Sequence, residues 1–382
     1  MNQLFLLGCY AFISLGVSAS IIGPALPTLA QNAQMSLQQG GYLFTGMSVG
    51  YLLSAPLIQW LRTRITTRTL LFSSPWLVVA SMILFALGRS FAVQMFGAFL
   101  LGLGQSGTQV SFSVLFGSGP NSSSVLNRLN AFFGIGALVG PLIASLGYTW
   151  LGVATPAFLF AAILALPLPL GALVWRGNAN SATATPTDAT QISVSISPWH
   201  TLSFWFMLGI MALYVGTEVS FSGWATEFTR RVANADVARA ATSVSVFFVG
   251  MAISRYTLGV FTRRIAPLTY VAGLLVLTTL ALVMMLLSNQ IAIMLIGAFI
   301  VGFGFGPVYP TLIAVGIQRF PQHATLIASG LTSSGSIGAF VLPPLTGILL
   351  SNNPTHGWQL LIGIMLIVLG GWTLLRRTAT TT

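Results

Sequence analysis

Residues 97–104 read GAFLLGLG, and residues 297–304 read GAFIVGFG. Glycine, alanine, phenylalanine and two further glycines recur at an offset of 200 residues at all five positions. Both stretches sit inside long apolar runs. The match extends outward: IGALVGP at 135–141 pairs with IGAFVLP at 337–343, an offset of 202, and Gly16 pairs with Gly216. Small residues let membrane helices pack closely whatever a protein does. The constant offset is the informative part, because it makes one half of the chain a repeat of the other.

Composition fixes the surroundings of that repeat. The 382 residues are 55% hydrophobic and 5% charged, with a mean hydropathy of +0.89. Soluble domains carry roughly 25% charged residues, so this chain cannot clothe a globule in water and reads as an integral membrane protein. All fifteen basic residues are arginine, and the formal charge is +11. The arginines stand in short gaps between apolar runs and are not interleaved with aromatics as a nucleic-acid groove requires. They report topology, and no nucleic-acid partner is expected. A single cysteine, Cys9, makes neither an internal disulfide nor a metal cage.

A helix needs about 20 apolar residues to cross the hydrocarbon. Twelve such spans fall near 4–30, 39–60, 69–88, 92–115, 127–149, 153–175, 201–226, 240–261, 266–287, 290–316, 324–350 and 357–375. The runs are continuously apolar rather than alternating, which predicts helices and not a barrel. The first run lacks a positive flank and is too long for a signal-peptide core, so it reads as a retained span. With a cytoplasmic N-terminus, the inner segments hold Arg62, Arg64, Arg68, Arg128, Arg176, Arg263, Arg264, Arg319, Arg376 and Arg377, against Arg89, Arg230, Arg231 and Arg239 outside. That bias places both termini in the cytoplasm of a multi-pass inner (plasma) membrane protein.

The longest polar segment is 177–199, rich in Ala, Thr and Ser with one charge, and it reads as a cytoplasmic linker with little fixed structure. The expected organisation is therefore an N-terminal bundle of six helices over 1–176, the linker, and a C-terminal bundle of six over 200–382. The fold class is all-α, with twelve transmembrane helices as two six-helix pseudo-repeats. This plan resembles the major facilitator superfamily. The resemblance implies a solute site between the halves near the midplane, transport by alternating access, and a monomer.

Several function classes are excluded. There is no GxxxxGK[ST] phosphate cradle. His200, His323 and His356 stand far apart at loop edges and make no metal site. Asp188, Glu218, Glu227 and Asp236 are the only carboxylates, too few for acid–base catalysis, so neither an enzyme nor a cofactor is expected.

Glu218 is the exception that calls for explanation. It lies mid-span in ALYVGTEVSFSGW (212–224), with Tyr214 and Ser222 at i−4 and i+4 on the same helix face. A carboxylate facing lipid is costly, so this face turns inward or to a wet cavity. Burial disfavours the charged form of a carboxyl group, and an acid held there can take up and release a proton in each cycle. The alternative is a structural carboxyl bonded to an unwound helix. Arg255, in span eight, is expected nearer the cytoplasmic side: Glu218 lies roughly 25 Å from the inner end of span seven and Arg255 roughly 23 Å from the outer end of span eight, which puts them at different levels of a hydrocarbon about 30 Å thick. It reads as an inner gate, a cap on helix carbonyls, or equally a snorkelling structural arginine. Glu227, Arg230, Arg231, Asp236 and Arg239 at the end of span seven read first as solvated surface charge, with an outer gate as the alternative.

Neutral polar residues supply a candidate solute site. Gln105 and Gln109 lie i, i+4 on span four, where two amides are expensive without partners. Asn130 lies near the start of span five. Phe305 and Tyr309 lie i, i+4 around Gly306, Pro307 and Pro310, with faces fit to stack on a ring, and Tyr214 on span seven is a further candidate solute contact. Ser14 and Ser18 occupy on span one the places of Tyr214 and Glu218 on span seven. Each could equally serve as glue between helices.

YVGTEVSFSGW (214–224) and NRLNAFFGIGALVGPL (127–142) resemble the span-seven and span-five segments of the fucose-permease-like and glucose-transporter-like branch. That resemblance implies a proton-coupled sugar symporter, with Glu218 matching the branch's span-seven glutamate and Trp224 its following tryptophan in the solute site. The departures are plain. The loop LRTRITTR (61–68) has no aspartate, the N-terminal half has no acidic residue, and Asn130 stands where the branch often has histidine. GIGALVGP also resembles a glycine-proline motif of drug antiporters. The expected function is a secondary transporter of a neutral polar solute, with a sugar as candidate, driven by protons through Glu218 with sodium as the alternative ion. A proton-driven exporter of hydrophobic or drug-like compounds, a uniporter, and a non-transporting membrane sensor or scaffold are the competing readings.

Overall fold

A computed structural model describes residues 3–61, 66–116, 122–174, 198–261 and 266–380. The expected linker, apart from its last two residues, lies outside these, as do Arg62, Arg64, Arg176, Asp188, Arg263 and Arg264. Secondary structure among the described residues is helical throughout, as a bilayer demands of any chain that does not close into a barrel.

The chain divides into two compact units, Met1–Ala189 and Thr190–Thr382. The first holds α1 (Gln3–Ser20), α2 (Ile22–Ala33), α3 (Leu37–Leu61), α4 (Thr67–Leu87), α5 (Phe91–Phe116), α6 (Ser122–Leu151), α7 (Thr155–Ala165) and α8 (Pro167–Val174). The second holds α9 (Leu202–Val232), α10 (Val237–Phe261), α11 (Pro267–Leu286), α12 (Ile291–Phe305), α13 (Val308–Arg319), α14 (Ala324–Asn352) and α15 (Pro354–Thr380).

Among the described residues, ten helical segments are long and apolar enough to cross a membrane, α12 and α13 counting as one. The two other expected spans are present in altered form. The 26-residue α5 is diluted by Gln94, Gln105 and Gln109. Span six is split at Leu166, ahead of Pro167, into α7 and α8. Spans one and ten are also interrupted, at Ile21 and at Gly306–Pro307. A helical N–H at position i bonds the carbonyl at i−4, and proline has none to offer. Pro24 therefore leaves the Ser20 carbonyl without its helical donor, beside the break between α1 and α2.

The repeat seen in the sequence is a repeat of helix crossings. In unit one, α1 packs on α6, and α3 and α4 pack on α5; in unit two, α9 packs on α14, and α10 and α11 pack on α12. Glycine pairs make the closest approaches. A Cβ on Gly16 would lie 2.1 Å from the Phe133 carbonyl oxygen, and one on Gly136 2.0 Å from that of Ile13. The equivalent crossing brings Gly216 against Gly338, and a Cβ on Gly338 would lie 1.8 Å from the Ala212 carbonyl oxygen. A Cβ on Gly50 would meet the Phe99 carbonyl at 2.1 Å, and one on Gly250 that of Phe299 at 2.2 Å. Gly102 faces Met47, and Gly302 faces Phe247, both at 1.9 Å. The same backbone contact thus recurs 200 residues later, which is why these positions admit only glycine.

The charges closing α9 correct one sequence expectation. Glu227 is not solvated: it is 3% exposed and accepts from Arg230 Nε at 2.8 Å and Arg231 Nε at 2.7 Å. Arg231 Nη1 also donates to the carbonyls of Leu350, at 3.0 Å, and Ser351, at 3.4 Å. The last carbonyls of a helix have no intrahelical donor, and Arg231 supplies one to the end of α14. Asp236 and Arg239, by contrast, form an exposed pair, 3.3 Å apart, as solvated charge should.

Candidate solute and proton site

The candidate residues of unit two converge on the break in span ten. Tyr214 is fully buried on α9, and its ring meets that of Phe305 edge to face, with centroids 5.4 Å apart. Its hydroxyl contacts the Glu218 carboxylate, one turn along the same helix, and lies 3.1 Å from the Phe305 carbonyl oxygen. Glu218 is half-buried. Phe305 closes α12, and the next carbonyl, that of Gly306, accepts from Arg255 Nε at 3.1 Å. The i+4 residue of Gly306 is Pro310, which has no N–H, so Arg255 fills the place of a missing helical donor. Tyr309, just past the break, shares a hydrogen bond of 2.8 Å with the Thr332 hydroxyl on α14.

Arg255 and Glu218 are therefore neighbours in depth, which overturns the expectation of separate levels. Measuring from opposite ends across a fixed hydrocarbon thickness caused that error. Val232 closes α9 and Val237 opens α10, so both helices share one end. From it Glu218 is about 21 Å along and Arg255 about 27 Å, a difference of roughly one turn. Helix α9, at 31 residues, is simply longer than the apolar slab. Arg255 is exposed along its side chain and caps the Gly306 carbonyl. No direct ion pair joins Arg255 to Glu218 among the described residues.

Trp224 lies apart from this group. It is fully buried, its Nε1 donates to the Pro343 carbonyl at 2.8 Å, and its ring fills the space beside Gly347, where a Cβ would come within 2.3 Å of it. The residue locks α9 to α14.

Unit one carries the same positions with different chemistry. At an offset of 200, Ser14, Ser18, Gln105 and Gln109 stand where unit two has Tyr214, Glu218, Phe305 and Tyr309. Gln109 Oε1 accepts from the Tyr51 hydroxyl at 2.9 Å. The sequence does not mark Tyr51, since one tyrosine on an apolar span carries no signal until its partner is known. Gln105 is 5% exposed, and its Nε2 has no hydrogen-bond partner; the buried Ser14 Oγ has none either. Ser18 is spent on the Leu15 carbonyl, 3.0 Å away. Asn130 is exposed on α6.

The family model of the Major Facilitator Superfamily matches residues 6–335. The chain belongs to this superfamily. As a facilitator it is a multi-pass membrane transporter rather than an enzyme. Among curated relatives, the TsgA homolog of Yersinia enterocolitica is 21% identical over 381 residues, covering 95% of this facilitator and 94% of that protein. The TsgA homolog of Edwardsiella ictaluri is 22% identical, covering 94% and 93%. Among solved structures, the nucleoside transporter NupG superposes with a TM-score of 0.73 at 12% identity, covering 98% of this facilitator and 99% of that chain. A bacterial homolog of the human lysosomal transporter Spinster, in an inward-facing and occupied conformation, gives 0.75 at 15% identity, covering 98% and 96%. At such identities the likeness is one of fold.

Proposed function

We propose that this facilitator is a secondary active transporter of a neutral polar small solute, working by alternating access and coupled to protons through Glu218. The observation that carries the reading is the Tyr214–Glu218 pair set against the broken tenth span. An ionisable group at membrane depth is expensive and is a functional site by default. Here it is half-buried, about one turn in depth from Arg255, on a segment packed against an interrupted helix. Sodium is the alternative ion, but a lone carboxylate beside a guanidinium is a poor cation cage.

The solute class follows from unit one. Gln105 presents an N–H donor, and Ser14 a hydroxyl, both buried and unmatched. A buried polar group left unpaired costs free energy, and a solute hydroxyl or carbonyl would relieve it. Within unit one, Gln109 is proposed as a further solute contact; within unit two, Tyr309 and Phe305 are proposed as solute contacts, Tyr214 supports Glu218, and Trp224 is assigned to packing. Asn130 keeps only the place that the family resemblance gives it. Sugars and nucleosides both fall in this neutral polar class. The arginine bias supports an inner-membrane location with cytoplasmic termini, and the superfamily plan supports a monomer.

A thermal-shift screen of sugars, polyols, nucleosides and drug-like compounds on the purified protein tests the class, because a ligand of the folded state raises the melting point. Stabilisation by neutral polar compounds supports the proposal. Stabilisation confined to hydrophobic drugs supports the exporter reading, for which the span-five glycine-proline motif is the only argument.

A further inference from the structure

Tyr214 has one phenolic proton and two acceptors, the Glu218 carboxylate and the Phe305 carbonyl. We infer that Tyr214 is the positioning residue through which the proton on Glu218 controls the break between α12 and α13. The inference rests on the reading that Glu218 carries the proton.

When Glu218 is ionised, the phenol must donate to it, because a carboxylate only accepts. The Phe305 carbonyl then loses that donor. When Glu218 takes up a proton, its carboxyl O–H donates to the Tyr214 oxygen, and the phenol O–H turns to the Phe305 carbonyl. One proton enters from solution and stays on Glu218; the phenol rotates and remains neutral. The break is then held at two successive carbonyls, Phe305 by Tyr214 and Gly306 by Arg255. In the ionised state only Arg255 holds it, and its guanidinium is drawn toward the carboxylate.

Among the described residues of unit two, few titratable groups stand around Glu218. Its own helix brings Tyr214, α10 brings Arg255 to the Gly306 carbonyl at the break, and α13 brings Tyr309, whose hydroxyl is engaged with Thr332. Helices α12 and α14 contain no ionisable residue, and those of α15, His356, Arg376 and Arg377, lie near its ends. The hinge can move because Gly306 and Pro307 interrupt the ladder of span ten. The corresponding residues of unit one, Ser106 and Gly107, lie within the unbroken α5. No switch of this kind exists there, and Ser14 replaces the tyrosine.

Hydrogen exchange of the peptide spanning 302–312, measured on the purified protein at low and high pH and corrected for intrinsic exchange rates, tests this without a solute. Wild type is expected to exchange roughly two- to tenfold more slowly at low pH, the span of one net hydrogen bond. Glu218→Gln, whose amide does not titrate and can offer the phenol an N–H at any pH, should lose the pH difference. Tyr214→Phe keeps the ring against Phe305 and removes only the switch, so its exchange should be fast at both. A pH difference that persists in Glu218→Gln would show that another group carries the proton and would remove the underlying reading. A difference lost in Glu218→Gln but intact in Tyr214→Phe would overturn the relay and leave Glu218 standing. No pH difference in wild type would overturn the relay as well.

Discussion

Arg255 Nε lies 3.1 Å from the Gly306 carbonyl oxygen and donates to it, at the one position in span ten where Pro310 withholds the helical N–H. The bond ties α10 to the interrupted span and brings a positive charge within a turn of Glu218. Arg255→Met keeps the apolar stem and removes the donor. It should lower stability by about 1–3 kcal/mol, the cost of an unsatisfied buried acceptor, and thermal melting of the purified protein reads this directly. An unchanged melting temperature would mean that the Gly306 carbonyl finds another partner.

The glycine crossings predict a sharp contrast between neighbours. Gly338→Ala puts a methyl 1.8 Å from the Ala212 carbonyl oxygen and must push α9 and α14 apart. Loss of folded protein, seen by size-exclusion chromatography, is the expected result. Gly209 and Gly134, on α9 and α6, have open space at the same point. Alanine at either should be neutral or stabilising by about 0.5–1 kcal/mol, since glycine costs that much in a helix interior.

Glu227 couples two arginines to the end of α14. Glu227→Gln should destabilise by about 2 kcal/mol, less than the loss of a fully buried pair because both arginines keep partial solvent access. A double-mutant cycle with Arg231→Gln should show coupling between the two sites. If the cycle is additive, the Glu227–Arg231 contact contributes nothing to stability.

Trp224 and Gln105 should separate in kinetics. Trp224→Phe loses the bond to the Pro343 carbonyl and leaves space beside Gly347, so the melting temperature should fall while KM holds. Gln105→Ala removes an unmatched buried amide and should leave stability equal or higher while KM rises, by about tenfold for a solute hydrogen bond. Transport assays on both variants check this; a KM change at Trp224 alone would reverse the assignments.

Much of this was legible in the chain because it depends on short spacings. The glycines at an offset of 200 mark the crossings, and the i, i+4 relation of Tyr214 and Glu218 places them on one face. The orphaned carbonyl of Gly306 could also be read from Pro310 by the i+4 rule. What was not legible depends on partners far along the chain. Glu227 looks like surface charge until Arg231 is seen to reach Leu350, 119 residues on, and Trp224 looks like a solute contact until Pro343 takes its N–H, also 119 residues away. The depth of Arg255 was misjudged because the apolar slab, rather than the full length of α9, set the measure.

The most direct test of the central claim is transport by Glu218→Gln in proteoliposomes, using the solute selected by the binding screen. With Glu218 as the coupling site, the variant should lose accumulation driven by a pH gradient and keep solute counterflow. Undiminished pH-driven accumulation by Glu218→Gln would contradict the account.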